Sequence, residues 1–408
     1  MAFTKLWVIA YRDLGRNRRR TILSMVAVAL GLGLLVLMNG YIAGVMEEAM
    51  QNDIRLRIGH VQIRAASYEE EKLSLQWKDL LDQPEALAAR AGALPEVKAA
   101  APVLWASGIL NTIDDSAGLS IYGVDVTSSL YDPIRAAMVA GEFVQADDRG
   151  GIVIGQRLAD MMGIALGQQV NLTIINANGQ PDEANFAVRG LFSTGIPSYD
   201  ESAVFMPLAR AQAFTATNGR ASAIVIMLNR QSDSDRVAAT LAGPGITTLT
   251  WREINQVLLQ LAEFSMSFYM ILDIIVMVVV AVVVANTLLM AVFERIREMG
   301  ILAALGMKGR QIMLMFLLEA ATLGLVGIAV GLMLGLAGVA YLATVGIYIG
   351  DVASSAGGIA LGSTIHAQFV PATFAWLSFW TLVIILLASL YPAWFAIRRE
   401  PAEALRAV

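Results

Sequence analysis

Four long apolar runs set the strongest limit on how this chain can fold. A helix needs about 20 consecutive apolar residues to cross the ~30 Å hydrocarbon core of a bilayer. Thr21 to Val45 carries no charge. Ile274 to Phe293 carries none either, and the run reaches back to about Met266 if Asp273 is accepted inside it. Ala320 to Gly350, with Glu319 at its entry, and Pro371 to Ile397 complete the set. The first run is too long for a secretory leader and lacks a small-residue cleavage site after it, so it reads as a retained anchor. Composition agrees, since 15% of the 408 residues are charged against ~25% in soluble domains.

Lysine and arginine near the spans give the orientation. Residues 1–20 hold Lys5, Arg12, Arg16, Arg18, Arg19 and Arg20; the loop from Glu294 to Gln311 holds Arg295, Arg297, Lys308 and Arg310. The tail after Ile397 holds three basic residues and the loop from Gly350 to Pro371 none. Both termini and the second loop are therefore expected in the cytoplasm, with the long insert and the third loop outside. A net charge of -5 gives no case for nucleic acid as a partner. The absence of cysteine excludes disulfides, thiolate metal sites and cysteine nucleophiles, and only His60 and His366 are histidines, far apart in sequence.

The insert, residues 47–263, carries 16 basic and 26 acidic residues and has a soluble α+β texture. Strands are expected at His60–Ile63, Val103–Ile113, Leu119–Val124, Val170–Ile175, Phe186–Phe192, Ala223–Leu228 and Ile246–Thr250. Helices are expected at Pro84–Ala93, Gly155–Met162 and Asp233–Ala242, and turns at Asp114–Gly118 and Asn176–Gly179. The acid-rich stretches Glu47–Asn52 and Glu253–Glu263 read as the first two spans continuing beyond the membrane as stalks. The expected division is a basic amphipathic elbow segment (1–20), a first span with the start of its stalk (21–46), the α+β domain (47–263), a second span (266–293), a cytoplasmic segment (294–311), a third span (312–346), an outer loop (347–370), a fourth span (371–397) and a cytoplasmic tail (398–408).

The segment between the second and third spans is the most informative. Glu294, Arg295, Arg297 and Glu298 stand at helical spacing and can form ion-pair ladders. Ile301, Leu302 and Leu305 follow on a short apolar turn, with Lys308 and Arg310 beyond. A plain connector needs only a few polar residues; this one offers an apolar helical face suited to a groove on another protein, a solvated basic loop being the other reading.

The same stretch, Glu294 to Ile312, resembles the cytoplasmic coupling segment of permeases in the MacB/LolC/LolE/FtsX group, the mechanotransmission or type VII ABC transporters. Arg12 to Thr21 is similar to that family's N-terminal pattern. Gly59-His-Val-Gln-Ile-Arg64 and the residues to Tyr68 resemble the start of the external domain in the lipoprotein-releasing branch. Ala388 to Trp394 with Glu400 to Leu405 is similar to the family's C-terminal end. The resemblance implies a bacterial inner-membrane subunit with four spans in a one-plus-three layout and a large periplasmic domain. It implies a non-catalytic chain in a dimer of identical or paralogous permeases, with two copies of a separate cytoplasmic ATPase that binds ATP and Mg; the chain itself would hold no cofactor and no metal. It further implies a porter-like part (47–100 and 206–255), an inserted part (101–205), and contact with membrane lipids and with a periplasmic carrier or adaptor. Some lipoprotein-releasing subunits carry a hook hairpin that recruits such a carrier; here the corresponding turn, Asn176 to Asn185, is short.

Asp273 and Glu319 lie within or beside spans, where a central charge costs ~2.5–3.5 kcal/mol or more. Both sit near span ends, which favours capping or interhelical pairing over a proton relay. Gly327, Gly331 and Gly335 put small residues at spacing four on the third span, for close packing within the chain or for a seam between chains. Val36, Met38, Tyr41 and Ile42 on the first span and Phe268, Met270 and Ile271 on the second are the expected lining of a cavity between permeases, although plain lipid contact fits them equally. No phosphate-binding loop of the form G-x-x-x-x-G-K-[ST] occurs, so the chain is not the ATPase, and no hydrolase or kinase motif set is present. Extraction of lipoproteins or lipids from the membrane is the leading expectation. Efflux of amphiphilic peptides or antibiotics with a periplasmic adaptor, and regulation of cell-wall hydrolases, are the alternatives.

Overall fold

The computed structural model describes residues 18–69, 73–112, 115–350 and 359–398. Most of the elbow segment, most of the tail, part of the outer loop and part of the Asp114–Gly118 turn lie outside these, as do much of the N-terminal pattern and the end of the C-terminal one. The described chain divides into two compact units, one of residues 18–45, 262–347 and 366–398, the other of residues 46–261 and 348–365. Helix α1 (Arg18–Asp53) has 36 residues, about 54 Å at 1.5 Å per residue. A π-helical turn, Ile54–Ile58, follows it and is closed by Gly59 at φ +67°, whose N–H bonds back to the Ile54 carbonyl.

The second unit is built on one ten-stranded sheet. Its elements are β1 (Val61–Ala65), α2 (Pro84–Gly92), β2 (Val97–Asn111), β3 (Ser116–Val124), β4 (Met138–Gly141), β5 (Gly151–Gly155), α3 (Gln156–Met162), β6 (Gln169–Ile175), β7 (Pro181–Phe192), β8 (Ala203–Pro207), α4 (Leu208–Phe214), β9 (Ala223–Leu228), α5 (Ser234–Leu241) and β10 (Ile246–Thr250). The pairings β2–β3, β3–β8, β8–β5, β5–β7, β7–β6 and β6–β2 close a six-stranded ring. Along β5 and β8 the side chains alternate between two cores. Ile152, Ile154, Val204 and Met206 join Leu104, Leu110 and Phe186 on one face. Val153, Phe205 and Ala203 join Tyr122, Phe192 and Tyr199 on the other. Beyond the ring, β2 continues the sheet to β9, β1 and β10, and β1 and β9 share a third core with α2 and α5.

The expected boundary between residues 100 and 101 therefore falls inside β2, whose first part pairs with β9 and whose last part pairs with β6. Strands β4, β5 and β8 and helix α4 were not expected from sequence; β5 and β8 are buried at all five positions and show no alternation. The β6–β7 turn is tight, with Asn176 N–H on the Gln180 carbonyl at 2.9 Å and Gly179 at φ +76°. Residues 359–365 of the outer loop pack on this unit: Ser363 donates to the Gly195 carbonyl, and Asn52 Nδ2 donates to the Ala360 carbonyl at 3.0 Å.

The first unit contains α6 (Gln256–Glu294, from residue 262), α7 (Ile296–Ala304), α8 (Gly309–Val345) and α9 (Pro371–Arg398), with most of α1. Helices α1, α6, α8 and α9 are long and apolar enough to span a membrane. Their shared core includes Val28, Leu32, Leu35, Val284, Leu288, Leu323, Phe374 and Ile385. The glycine stripe of α8 packs within the chain: a Cβ on Gly327 would lie 2.7 Å from Val28 Cβ, and one on Gly331 would lie 2.8 Å from the Ala29 carbonyl oxygen. Gly335 meets Val36 in the same way. Asp273 is buried and accepts hydrogen bonds from Asn39 Nδ2 at 3.1 and 3.3 Å, an interhelical pairing of α6 with α1. Ser24 and Thr287 make a second such link at 2.7 Å.

Candidate functional site

The site is the turn and short helix between α6 and α8. Helix α6 ends at Glu294, whose carboxylate pairs with Arg20 at 2.9 Å. The chain turns at Arg295, and α7 begins. Arg295 and Glu319 are 2% and 3% exposed, with Nη1 3.7 Å from Oε2. Two buried opposite charges at that distance hold the start of α7 to α8. Arg295, expected on the coupling surface, is almost wholly buried beside Glu319, 24 positions later, and borders the groove next to α7.

Met299 and Ile296 turn inward to a small core with Val292, Ile312, Met315, Phe316 and Ala393. Ile301 and Leu305 turn outward, at 47% and 80% exposure. Arg297, Glu298, Lys308 and Arg310 are exposed around them, Glu294 is exposed at the helix junction, and Leu302 is half-buried. Helix α7 ends at Gly306, at φ +94°, with Met307 N–H on the Leu302 carbonyl at 3.0 Å, the backbone arrangement that stops a helix at a glycine. Lys308 then starts α8, its N–H held by Gln311 Oε1 at 2.9 Å. A groove of about 290 Å³ opens beside α7, lined by Arg295, Glu298, Met299, Ile301, Leu302, Met315 and Phe316. The result is a rigidly rooted helix with two apolar side chains displayed among charges. That geometry suits docking into another protein's cleft.

Sequence reasoning missed Met299, Met315 and Phe316 as the floor of this groove. The signal available was the i, i+3 spacing of Ile296, Met299 and Leu302.

The residues expected to line a cavity separate into two sets. Val36 is fully buried against Gly335, because the glycine lets α8 approach α1 closely at that point, so it does not belong to an outward-facing surface. Met38, Tyr41 and Ile42 on α1 are half-buried, while Phe268, Met270 and Ile271 on α6 are exposed. In the second unit, His60 Nδ1 accepts the Leu228 N–H at 3.0 Å, and burial lowers the imidazole's pKa from its ordinary 6.5. No group of acidic, histidine or cysteine side chains among the described residues could hold a metal ion.

Four helices long and apolar enough to span a membrane, with a sheet-based α+β domain between the first and second, define a membrane protein carrying a large inserted domain. The chain matches the MacB-like periplasmic core domain model over residues 21–243 and the FtsX-like permease C-terminal model over residues 270–401. It belongs to the MacB-like periplasmic core domain family and is an ABC transporter permease. It is similar to the lipoprotein-releasing system transmembrane protein LolC of Neisseria meningitidis, 24% identical with 95% of this chain and 94% of that protein covered. The LolE protein of the same kind of system from Haemophilus influenzae is 24% identical over 94% of this chain and 93% of its own length. The macrolide export ATP-binding/permease protein MacB of Hyphomonas neptunium is 26% identical over 97% of this chain, which spans 60% of that relative.

Proposed function

We propose that this chain is the non-catalytic membrane subunit of an ATP-driven system that extracts or releases lipoproteins or lipids from the bacterial inner membrane. The observation that carries the coupling role is the Ile301–Leu305 face of α7, exposed on a helix rooted by the buried Arg295–Glu319 pair. Two copies of a cytoplasmic ATPase, each holding ATP and Mg, dock on two permeases at this face. Both termini and α7 lie in the cytoplasm and the α+β domain in the periplasm, in keeping with the basic residues around residues 1–20 and 294–311.

A displacement of α7 is passed to α6 through the short turn at Arg295 and to α8 through Glu319. Helices α1 and α6, tied by Asn39–Asp273 and Ser24–Thr287, convey it outward as stiff rods, each far longer than the ~20 residues a bilayer requires. No aqueous channel is needed, because the cargo is handled at the periplasmic face. End-to-end similarity to two lipoprotein-releasing transmembrane proteins supports this cargo class. Similarity to MacB over nearly the whole chain supports a second reading, efflux of amphiphiles with a periplasmic adaptor.

The test is depletion of this chain, followed by mass spectrometry of acylated proteins and lipids in the inner membrane. Accumulation of lipoproteins normally sent to the outer membrane is the expected result. An unchanged inventory would overturn the extraction reading in favour of efflux or of cell-wall regulation.

A further inference from the structure

A cavity of about 550 Å³ opens in the sheet-based unit beside the π-helical turn that leads from α1 towards β1. Three basic side chains border it: Arg55 from the turn, His60 from just after Gly59, and Lys98 from β2. Two irregularities of the backbone bring them together. A π-helical turn closes its hydrogen bonds one residue later than an α-helix, and such turns are frequent at functional sites; here it carries Arg55 to the cavity wall. In β2, Val97 pairs with Leu228 and Ala99 with Met227 of β9, which leaves Lys98 at a bulge. A bulge is the distortion by which a strand re-aims a side chain.

Several polar groups on the wall are already engaged. Gln51 Nε2 donates to Glu47 Oε1 at 2.9 Å, and Asn52 Nδ2 donates to the Ala360 carbonyl. The Asp132 carboxylate pairs with Arg135, whose Nε lies 3.2 Å from it. His60 Nδ1 accepts the Leu228 N–H, so the neutral ring carries its proton on Nε2. Left on the wall are two cations, Arg55 and Lys98, with the His60 Nε2–H and the Ser129 hydroxyl as further donors. Neither cation has a side-chain hydrogen bond or ion pair among the described residues, although residues 47–263 hold 26 acidic side chains against 16 basic.

A ligand that matches these donors presents oxygen acceptors and negative charge, the combination that makes the stronger hydrogen bonds. The rest of the lining is apolar, with Ile54, Ala99, Leu130, Pro133 and Met227. A cavity of this volume takes a small organic molecule and not merely an ion. We propose that it binds a small organic anion, with a phosphate, sulfate or carboxylate head between Arg55 and Lys98 and an apolar body against Ile54, Leu130 and Met227. The occupant bridges the turn after α1 to the bulge of β2. The site shares no residue with α7 and stands independently of the cargo reading.

The test is titration of the full chain, held in phosphatidylcholine nanodiscs and phosphate-free buffer, with 2-naphthyl phosphate, empty nanodiscs serving as the blank. Saturable binding is expected. The double variant Arg55→Gln with Lys98→Gln should bind at least about tenfold more weakly, and Lys78→Gln, at an exposed lysine away from the cavity, should bind as the wild type does. Both cavity cations are exposed, so without probe the double variant should unfold at the wild-type temperature, losing only the upward shift that the probe gives the wild type. Neutral 2-naphthol and inorganic phosphate should each bind at least about tenfold more weakly than the naphthyl phosphate. Equal affinity of the wild type and the double variant, or of 2-naphthyl phosphate and 2-naphthol, would overturn the proposal. Phosphatidylglycerol nanodiscs without probe separate two sources of the anion. A lipid headgroup in the site raises the unfolding temperature of the wild type and not of the double variant, whereas a water-borne anion leaves both unchanged.

Discussion

Arg295 and Glu319 form a buried pair of opposite charges in the helical unit. Each is almost wholly out of solvent, and removing one partner of a buried ion pair leaves a bare charge that costs about 3–5 kcal/mol, whereas replacing both with apolar residues is often neutral. Glu319→Ala should therefore lower the thermal unfolding temperature of the purified chain sharply, and Arg295→Met with Glu319→Leu should restore most of it; equal destabilisation by the single and double variants would contradict the pairing. His60 gives a pH signature in the other unit. Its folded pKa is depressed below 6.5 by burial, so the unfolded chain binds the proton more readily. The stability it contributes is present above pH 6.5 and falls as the pH drops through the folded value. Unfolding monitored between about pH 7.5 and 5 should show this decline, and His60→Gln should remove that part of it.

Among the elements, the α1–α8 contact depends on missing side chains. Gly331 places its Cα so close to α1 that any Cβ would meet the Ala29 carbonyl oxygen at 2.8 Å and Cα at 3.1 Å, while at Gly324 the nearest atoms are the Ile385 methyls at 3.4 Å. Gly331→Ala should cost about 1–3 kcal/mol through forced separation of the helices; Gly324→Ala should be nearly silent in the same unfolding assay. Such a stripe was legible in the sequence as small residues at spacing four, but not which helix they met, since Val28 and Gly327 are some 300 positions apart. The four apolar runs were legible because nothing in a soluble fold demands them. Strands β5 and β8 were hidden for the opposite reason: Gly151-Ile-Val-Ile-Gly155 and Ala203-Val-Phe-Met-Pro207 are buried on both faces, which erases the period of two. The outward face of α7 could be read from Ile301 and Leu305, whereas the inward fate of Arg295 required the position of Glu319, too distant for any helical-spacing rule.

At the scale of the whole chain, α1 and α6 run from the helical unit into the sheet-based unit, and the exposed helix α7, proposed as the docking element, follows α6. ATPase coupling in the proposed function depends on the exposed face of α7. A photo-activatable amino acid placed at position 305 in the full chain, irradiated in cells, is the direct measurement. The account predicts a covalent adduct with an ABC ATPase subunit, present at 305 and 301 and absent at the buried position 299. Adducts only with lipid, or no ATPase adduct at any of these positions while the complex still assembles, would contradict it.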